Sequence, residues 1–190
     1  MTEEAVLFKT ALCLAVAYAL GILLEKAVKE VTGGKQGYIK FLSMTVTVMY
    51  LGAYGTSWDI LPRILYGQAL LFAAEYDRAF HIVPDYIPLL IFATGLAGIQ
   101  PVRALAGMAL VPLPFLVAAL ASEGSIGGGD IKLMAACGFV LGASKGYAAL
   151  GVGLLLAVLY EKLRGRQKGE SFALAPYLAA GCLLADLPVL

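Results

Sequence analysis

Residues 5–24, AVLFKTALCLAVAYALGILL, form an apolar run interrupted by one charge, Lys9. A helix needs about 20 mainly apolar residues to cross the hydrocarbon core of a bilayer, so this run reads as a membrane span. Seven more apolar stretches follow, at Phe41–Trp58, Leu61–Tyr76, Tyr86–Ile99, Val102–Ala121, Ile131–Leu141, Gly146–Tyr160 and Phe172–Leu190. Several are shorter than a full span, which suits tilted or re-entrant helices packed in a bundle. The pattern predicts an all-α, polytopic transmembrane bundle of about eight helices.

Composition points the same way. Hydrophobic residues make up 61% of the chain and charged residues 14%, against roughly 25% charged in an ordinary soluble domain. The mean hydropathy is +0.85. A water-soluble fold could not cover that much apolar surface, and 190 residues leave no room for a separate soluble domain beside the spans. The lipid bilayer is therefore the first expected partner.

With 14 basic and 13 acidic residues, the net charge of +1 gives no sign of a nucleic-acid partner. Cys13, Cys137 and Cys182 are scattered through apolar stretches and form no CxxC pair, so neither a zinc site nor a disulfide framework is expected. The first residues, MTEEAVLFKT, are acidic where a secretory signal would be basic. The first apolar stretch is therefore expected to be a retained anchor.

Lysine and arginine collect in two places: Lys26, Lys29, Lys35 and Lys40, then Lys162, Arg164, Arg166 and Lys168. Basic loops stay on the cytoplasmic side. If the helices alternate direction, the connections 25–40, 77–85, 122–130 and 161–170 all fall on that one side, and they carry Asp77 and Asp130 with them.

Two segments could carry chemistry. In Gly127-Gly128-Gly129-Asp130-Ile131-Lys132, three glycines deliver a carboxylate to the start of an apolar helix. Such a loop can hold an acid at an unusual depth, and it is equally the mark of a plain helix N-cap. In Glu75-Tyr76-Asp77-Arg78-Ala79-Phe80-His81-Ile82-Val83-Pro84-Asp85, an acid-rich helix end meets a proline that forbids the helix to continue. Asp77 alone reads as a solvated charge, paired with Arg78 or Lys132. Two aspartates brought together are different: they share one proton, and one can activate a water while the other polarises a carbonyl. That chemistry requires no metal and no cofactor. Intramembrane acids also line ion paths in transporters, which is the competing reading.

The two segments, in this order and with two apolar stretches between them, resemble the signature motifs of type IV prepilin peptidases and archaeal preflagellin peptidases. In the first, an Asp ends a helix and a hydrophobic-Pro step follows, here Asp77 and Val83-Pro84. The second, GxGDxK, is matched by Gly127, Gly129, Asp130 and Lys132, and Phe172-Ala-Leu-Ala-Pro176-Tyr-Leu is similar to a late Pro-containing segment of the family. The resemblance implies a GxGD-type aspartyl endopeptidase with Asp77 and Asp130 catalytic, and with Gly127, Gly128, Gly129, Lys132 and Pro84 in support. Lys132 would orient Asp130 or neutralise its surroundings. The implied partners are prepilin-like precursors (pilin, pseudopilin or archaellin), whose basic leader is removed at the cytoplasmic face of the cytoplasmic membrane. Homo-oligomerisation is compatible with it. Residues 61–190 would form a six-helix peptidase core, preceded by two helices in 1–60. Many bacterial members add an N-methyltransferase part with paired CxxC motifs; this sequence has none, so that activity is not expected. Asp85 stands where Asn is frequent, and Asp77 matches the motif better.

Overall fold

The computed structural model describes residues 3–32, 38–57, 59–121, 127–165 and 172–188. Among these the regular elements are helices: α1 (Glu3–Thr32), α2 (Ile39–Tyr54), α3 (Ile60–Phe80), α4 (Tyr86–Gly95), α5 (Pro101–Leu110), α6 (Leu113–Ala121), α7 (Gly128–Leu163) and α8 (Ala175–Asp186). Three segments, Val6–Glu30, Pro101–Ala121 and Gly128–Leu163, are long and apolar enough to cross a membrane. The all-helical membrane architecture is the expected one. Lys35, Arg166 and Lys168, counted above among the cytoplasmic charges, lie outside the described residues, as do Trp58 and Leu190 at the ends of apolar stretches.

The chain divides into two compact units, 1–72 and 73–190, and the division falls within α3. In the first unit α1 packs on α2. Their contact is tight at Gly21, where a Cβ would stand 3.0 Å from Lys40 Cα. The hydroxyl of Ser43 donates to the Ala17 carbonyl at 2.9 Å, and the Gln68 amide of α3 donates to the Ser43 carbonyl at 3.3 Å. Small side chains for close approach and buried polar side chains for cross-links are what joins helices in lipid, where apolar surface alone gives no preference for protein over acyl chain. α1 runs to Thr32, well past the expected Leu24. Glu25–Lys29 and Lys26–Glu30 are opposite charges four apart, a spacing that supports a helix through a polar stretch.

The second unit is organised around α7, which packs against α4, α5 and α8. The two expected helices are both present and are joined end to end in α7 at a non-helical break at Gly142, where φ is 77° and ψ 174°. The bend is a sharp fold-back. Val111 meets the Cβ positions of both Gly138 and Gly146, which a straight helix would hold roughly 12 Å apart. Arg103 closes the break by donating to the Leu141 carbonyl at 2.8 Å, one of the acceptors freed where the helical ladder stops. The limbs 128–141 and 143–163 thus correspond to the two helices read from the sequence.

The converse happens at Val102–Ala121, expected as one helix and found as α5 and α6. Pro112 and Pro114 have no N–H for the ladder. The carbonyl of Leu110, which a residue at 114 would normally bond, instead accepts the Tyr147 hydroxyl from α7 at 2.8 Å.

Glycine makes these crossings possible. A Cβ on Gly107 would strike the Gly138 carbonyl, and one on Gly138 would strike that of Gly107. Backbone cannot yield as a flexible side-chain end can, and overpacking costs about 1–3 kcal/mol or more. Gly107→Ala is expected to lower the midpoint of thermal unfolding in detergent by several degrees. Gly151→Ala, whose Cβ would meet nothing within 4 Å, should not lower it and should raise it slightly, because alanine loses less entropy than glycine in a helix.

Candidate active site

Asp77 lies in the last turn of α3 and is only 4% exposed. Its Oδ2 accepts the N–H of Ala175 at 2.9 Å. Ala175 is the first residue of α8, so this N–H has no partner inside its own helix, and a helix start favours an acid. Pro176 at the second position suits a helix start, because its missing N–H would have been unused there. The late Pro-containing segment therefore acts on Asp77 through main-chain atoms.

The turn after Asp77 is constrained. His81 donates its N–H to the Asp77 carbonyl at 2.7 Å and takes a left-handed φ of 55°, a conformation uncommon outside glycine. Helix ends there, and residues 82–84 run without regular structure into α4, whose N-cap is Asp85. The carbonyl of Pro84 accepts the Ile87 N–H at 3.1 Å. Glu75, one turn before Asp77's end of the helix, is buried and bonded by Arg78 at 3.1 Å.

Asp130 is the third residue of α7, behind an N-cap at Gly127. Its own N–H donates to the Gly127 carbonyl at 3.1 Å. The three glycines differ in what surrounds them. A Cβ on Gly129 would stand 2.9 Å from the Val83 carbonyl oxygen and 3.0 Å from Val83 Cβ. One on Gly127 would be 3.3 Å from Asp130 Oδ2, and one on Gly128 would meet nothing within 4 Å. Gly129 is thus the point at which the start of α7 rests on the loop leaving α3. Across this contact the charge of Asp77 reaches the Asp130 carboxylate. Asp130 Oδ1 is shielded from solvent and has no hydrogen-bond partner.

Lys132 was expected to serve Asp130, and the structure turns it elsewhere. Its ammonium lies 2.6 Å from Asp85 Oδ1, in an ion pair whose side chains are 57% and 73% exposed. It ties the start of α7 to the start of α4. Asp85 is thereby occupied at the surface, while Asp77 is buried beside Asp130. The amide of Ala175 is a contact with Asp77 that the sequence reading lacked, although Pro176 marked the segment. Among the described residues no group of three His, Cys, Asp or Glu side chains could hold a metal ion.

Fold and site together define a multi-pass membrane protein with two aspartates meeting at helix ends. Residues 64–161 match the type IV leader peptidase family. The chain is also 32% identical over 183 residues to the prepilin leader peptidase/N-methyltransferase of Bacillus subtilis (strain 168), an alignment covering 88% of this chain and 73% of that protein. No solved structure matches it. The chain belongs to the type IV leader peptidase family, a class of proteases that process type IV prepilin leaders.

Proposed function

We propose that this chain is an aspartyl endopeptidase that removes the basic leader of prepilin-like precursors at the cytoplasmic face of the cytoplasmic membrane, with Asp77 and Asp130 as the reacting pair. The observation that carries the reading is the convergence of these two carboxylates, one held by a helix amide and the other with a shielded, unpartnered oxygen. Asp77 takes a proton from a water as the water oxygen adds to the scissile carbonyl carbon. Asp130, whose Oδ1 has no hydrogen-bond partner within the protein, gives its proton to the carbonyl oxygen. When the tetrahedral species collapses, the C–N bond breaks, the proton on Asp77 passes to the leaving nitrogen, and Asp130 regains a proton from a hydroxyl of the adduct. The atoms balance with water as the only co-reactant.

The cytoplasmic assignment is supported by Lys26, Lys29, Lys40, Lys162 and Arg164, which stand in or beside the terminal turns of helices whose ends fall on the side of Asp77 and Asp130 if the helices alternate. A leader rich in Lys and Arg would be retained on that side. We assign the peptidase core to residues 61–190 and expect no methyl transfer, since the three cysteines form no CxxC pair.

The test is co-expression with a prepilin-like precursor and electrophoretic detection of leader removal. The wild-type chain should convert the precursor, and a precursor left intact in its presence would refute the proposal. Asp85→Asn should keep at least half of the processing, because it removes only an exposed ion pair, of a kind that contributes about 0–1 kcal/mol. Abolished processing there would shift the catalytic assignment toward Asp85.

A further inference from the structure

Lys145 stands where local rules argue against it. It lies inside Gly128–Leu163, a segment apolar enough to cross a membrane, and a charged side chain within such a segment is costly. It also sits in the first turn of the limb that restarts after the Gly142 break, and the start of a helix disfavours a cation. The ammonium serves another helix. It donates to the Leu187 carbonyl at 3.0 Å and to the Asp186 carbonyl at 3.5 Å. These acceptors lie at the end of α8, where the last carbonyls have no partner in the helical ladder and the dipole is negative. Asp186 is moreover a buried acid, so this end of α8 calls for a cation.

α8 connects that contact to the active site. Its 12 residues span about 18 Å, and its first amide, on Ala175, is the one that holds Asp77. Between its ends α8 lies on α7 at glycines. A Cβ on Gly153 would stand 3.0 Å from Leu178 Cα and from the Tyr177 carbonyl oxygen, and one on Gly181 would strike the Ala149 carbonyl. Main chain against main chain fixes how closely the helices approach, and at these two points no side chain projects across to stop α8 moving along its own axis. Polar bonds near the ends do that. The Tyr177 hydroxyl donates to Glu161 at 2.9 Å near the start, and Lys145 holds the finish.

We infer that Lys145 is a positioning residue for Asp77: by fixing the far end of α8, it sets where the Ala175 amide meets the carboxylate. The inference rests on the proposed peptidase function and gives the reacting pair a support at the opposite end of a helix.

Burial pushes the Asp77 carboxyl up from its ordinary value, and the Ala175 amide, His81 and the Leu174 amide draw it back down. The other charges around it are Arg78, paired with Glu75 at 3.1 Å on α3, Asp130 at the start of α7, and Glu161 and Arg164 at the end of α7. Lys145 lies at the other end of α8 from all of these, so replacing it reaches Asp77 through the α8 amides. A carboxylate that loses a donor to its charged form ionises at higher pH.

The experiment follows leader removal from a prepilin-like precursor across pH, with the purified full chain in phosphatidylcholine vesicles as wild type, Lys145→Gln and Lys145→Arg. Lys145→Gln should lower kcat about tenfold and leave KM within about twofold. Its acid limb of kcat/KM should move to higher pH by about one unit, the scale of a hydrogen bond to a charged group. Lys145→Arg keeps a cationic donor at the helix end and should restore both. Wild-type behaviour of Lys145→Gln would overturn the inference, and so would a shift that Lys145→Arg fails to reverse. A fall in activity with an unmoved acid limb overturns it too, because a loosened fold lowers the amount of working enzyme and leaves the shape of the curve alone. If Lys145→Gln does not accumulate while Lys145→Arg does, Lys145 supports the fold as a whole and the inference likewise falls. Failure of the wild type to cut the precursor would instead remove the proposed function, so the two failures are distinct.

Discussion

Asp77→Asn and Asp130→Asn are each expected to reduce leader removal by about 10²–10⁴-fold, the range supplied by a positioned proton-transfer group. Both substitutions keep shape. At 77 the amide oxygen of Asn can still accept the Ala175 N–H, so the connection between α3 and α8 survives. At 130 the side chain has one oxygen with no partner to lose. The variants should therefore reach the membrane in normal amounts with unchanged thermal unfolding, which separates lost chemistry from lost fold. The double variant should be scarcely worse than either single one, because residues acting as a unit are not additive. Processing at the wild-type rate by either single variant, measured as the initial rate of leader loss in membranes, would end the assignment of the pair.

The second large effect is expected from a single methyl group. Gly129→Ala places a Cβ 2.9 Å from the Val83 carbonyl oxygen, where neither partner is a flexible side-chain end. The start of α7 must move away from the loop that follows Asp77, and Asp130 moves with it. Displacement of a reacting group by about 1 Å can cost on the order of 10²-fold in rate. Gly128→Ala is the control. Nothing lies within 4 Å of its Cβ, and its rate should stay within about twofold of wild type, with helix stability slightly raised because alanine loses less entropy than glycine. Comparing kcat for the two variants checks the argument. Equal losses would mean that the first turn of α7 needs glycine for its conformation and that contact with Val83 is not the cause. The contrast also gives a physical reason for the free middle position in a GxGD motif: that residue points into open space.

What could be read from the sequence alone follows the range of the interactions involved. The spans follow from apolar length, a property of each segment by itself, and the glycines before Asp130 announce a helix start, with Gly127 at the N-cap and Gly128 and Gly129 in the first turn. Helix ends were harder. Pro112 and Pro114 stood in plain view within Val102–Ala121, yet apolar length outweighed them, and the α5/α6 break is stabilised by Tyr147, a residue far along the chain. The fold-back at Gly142 likewise depends on Arg103, which supplies the hydrogen bond that the helix gives up there. The GxGDxK resemblance implies a role for Lys132 beside Asp130. On a helix, residues two apart point in different directions, and the partner of Lys132 is Asp85, delivered by another loop. Pairings that depend on a second segment are invisible to local reading.

The hold on Asp77 has an implication for how this site tolerates change. Its donor is a peptide amide, which every amino acid except proline supplies in the same way. The bond therefore does not depend on the side chain at 175, which complete burial keeps small for reasons of space alone. The information that secures the acid is stored in where α8 begins rather than in which letter stands there.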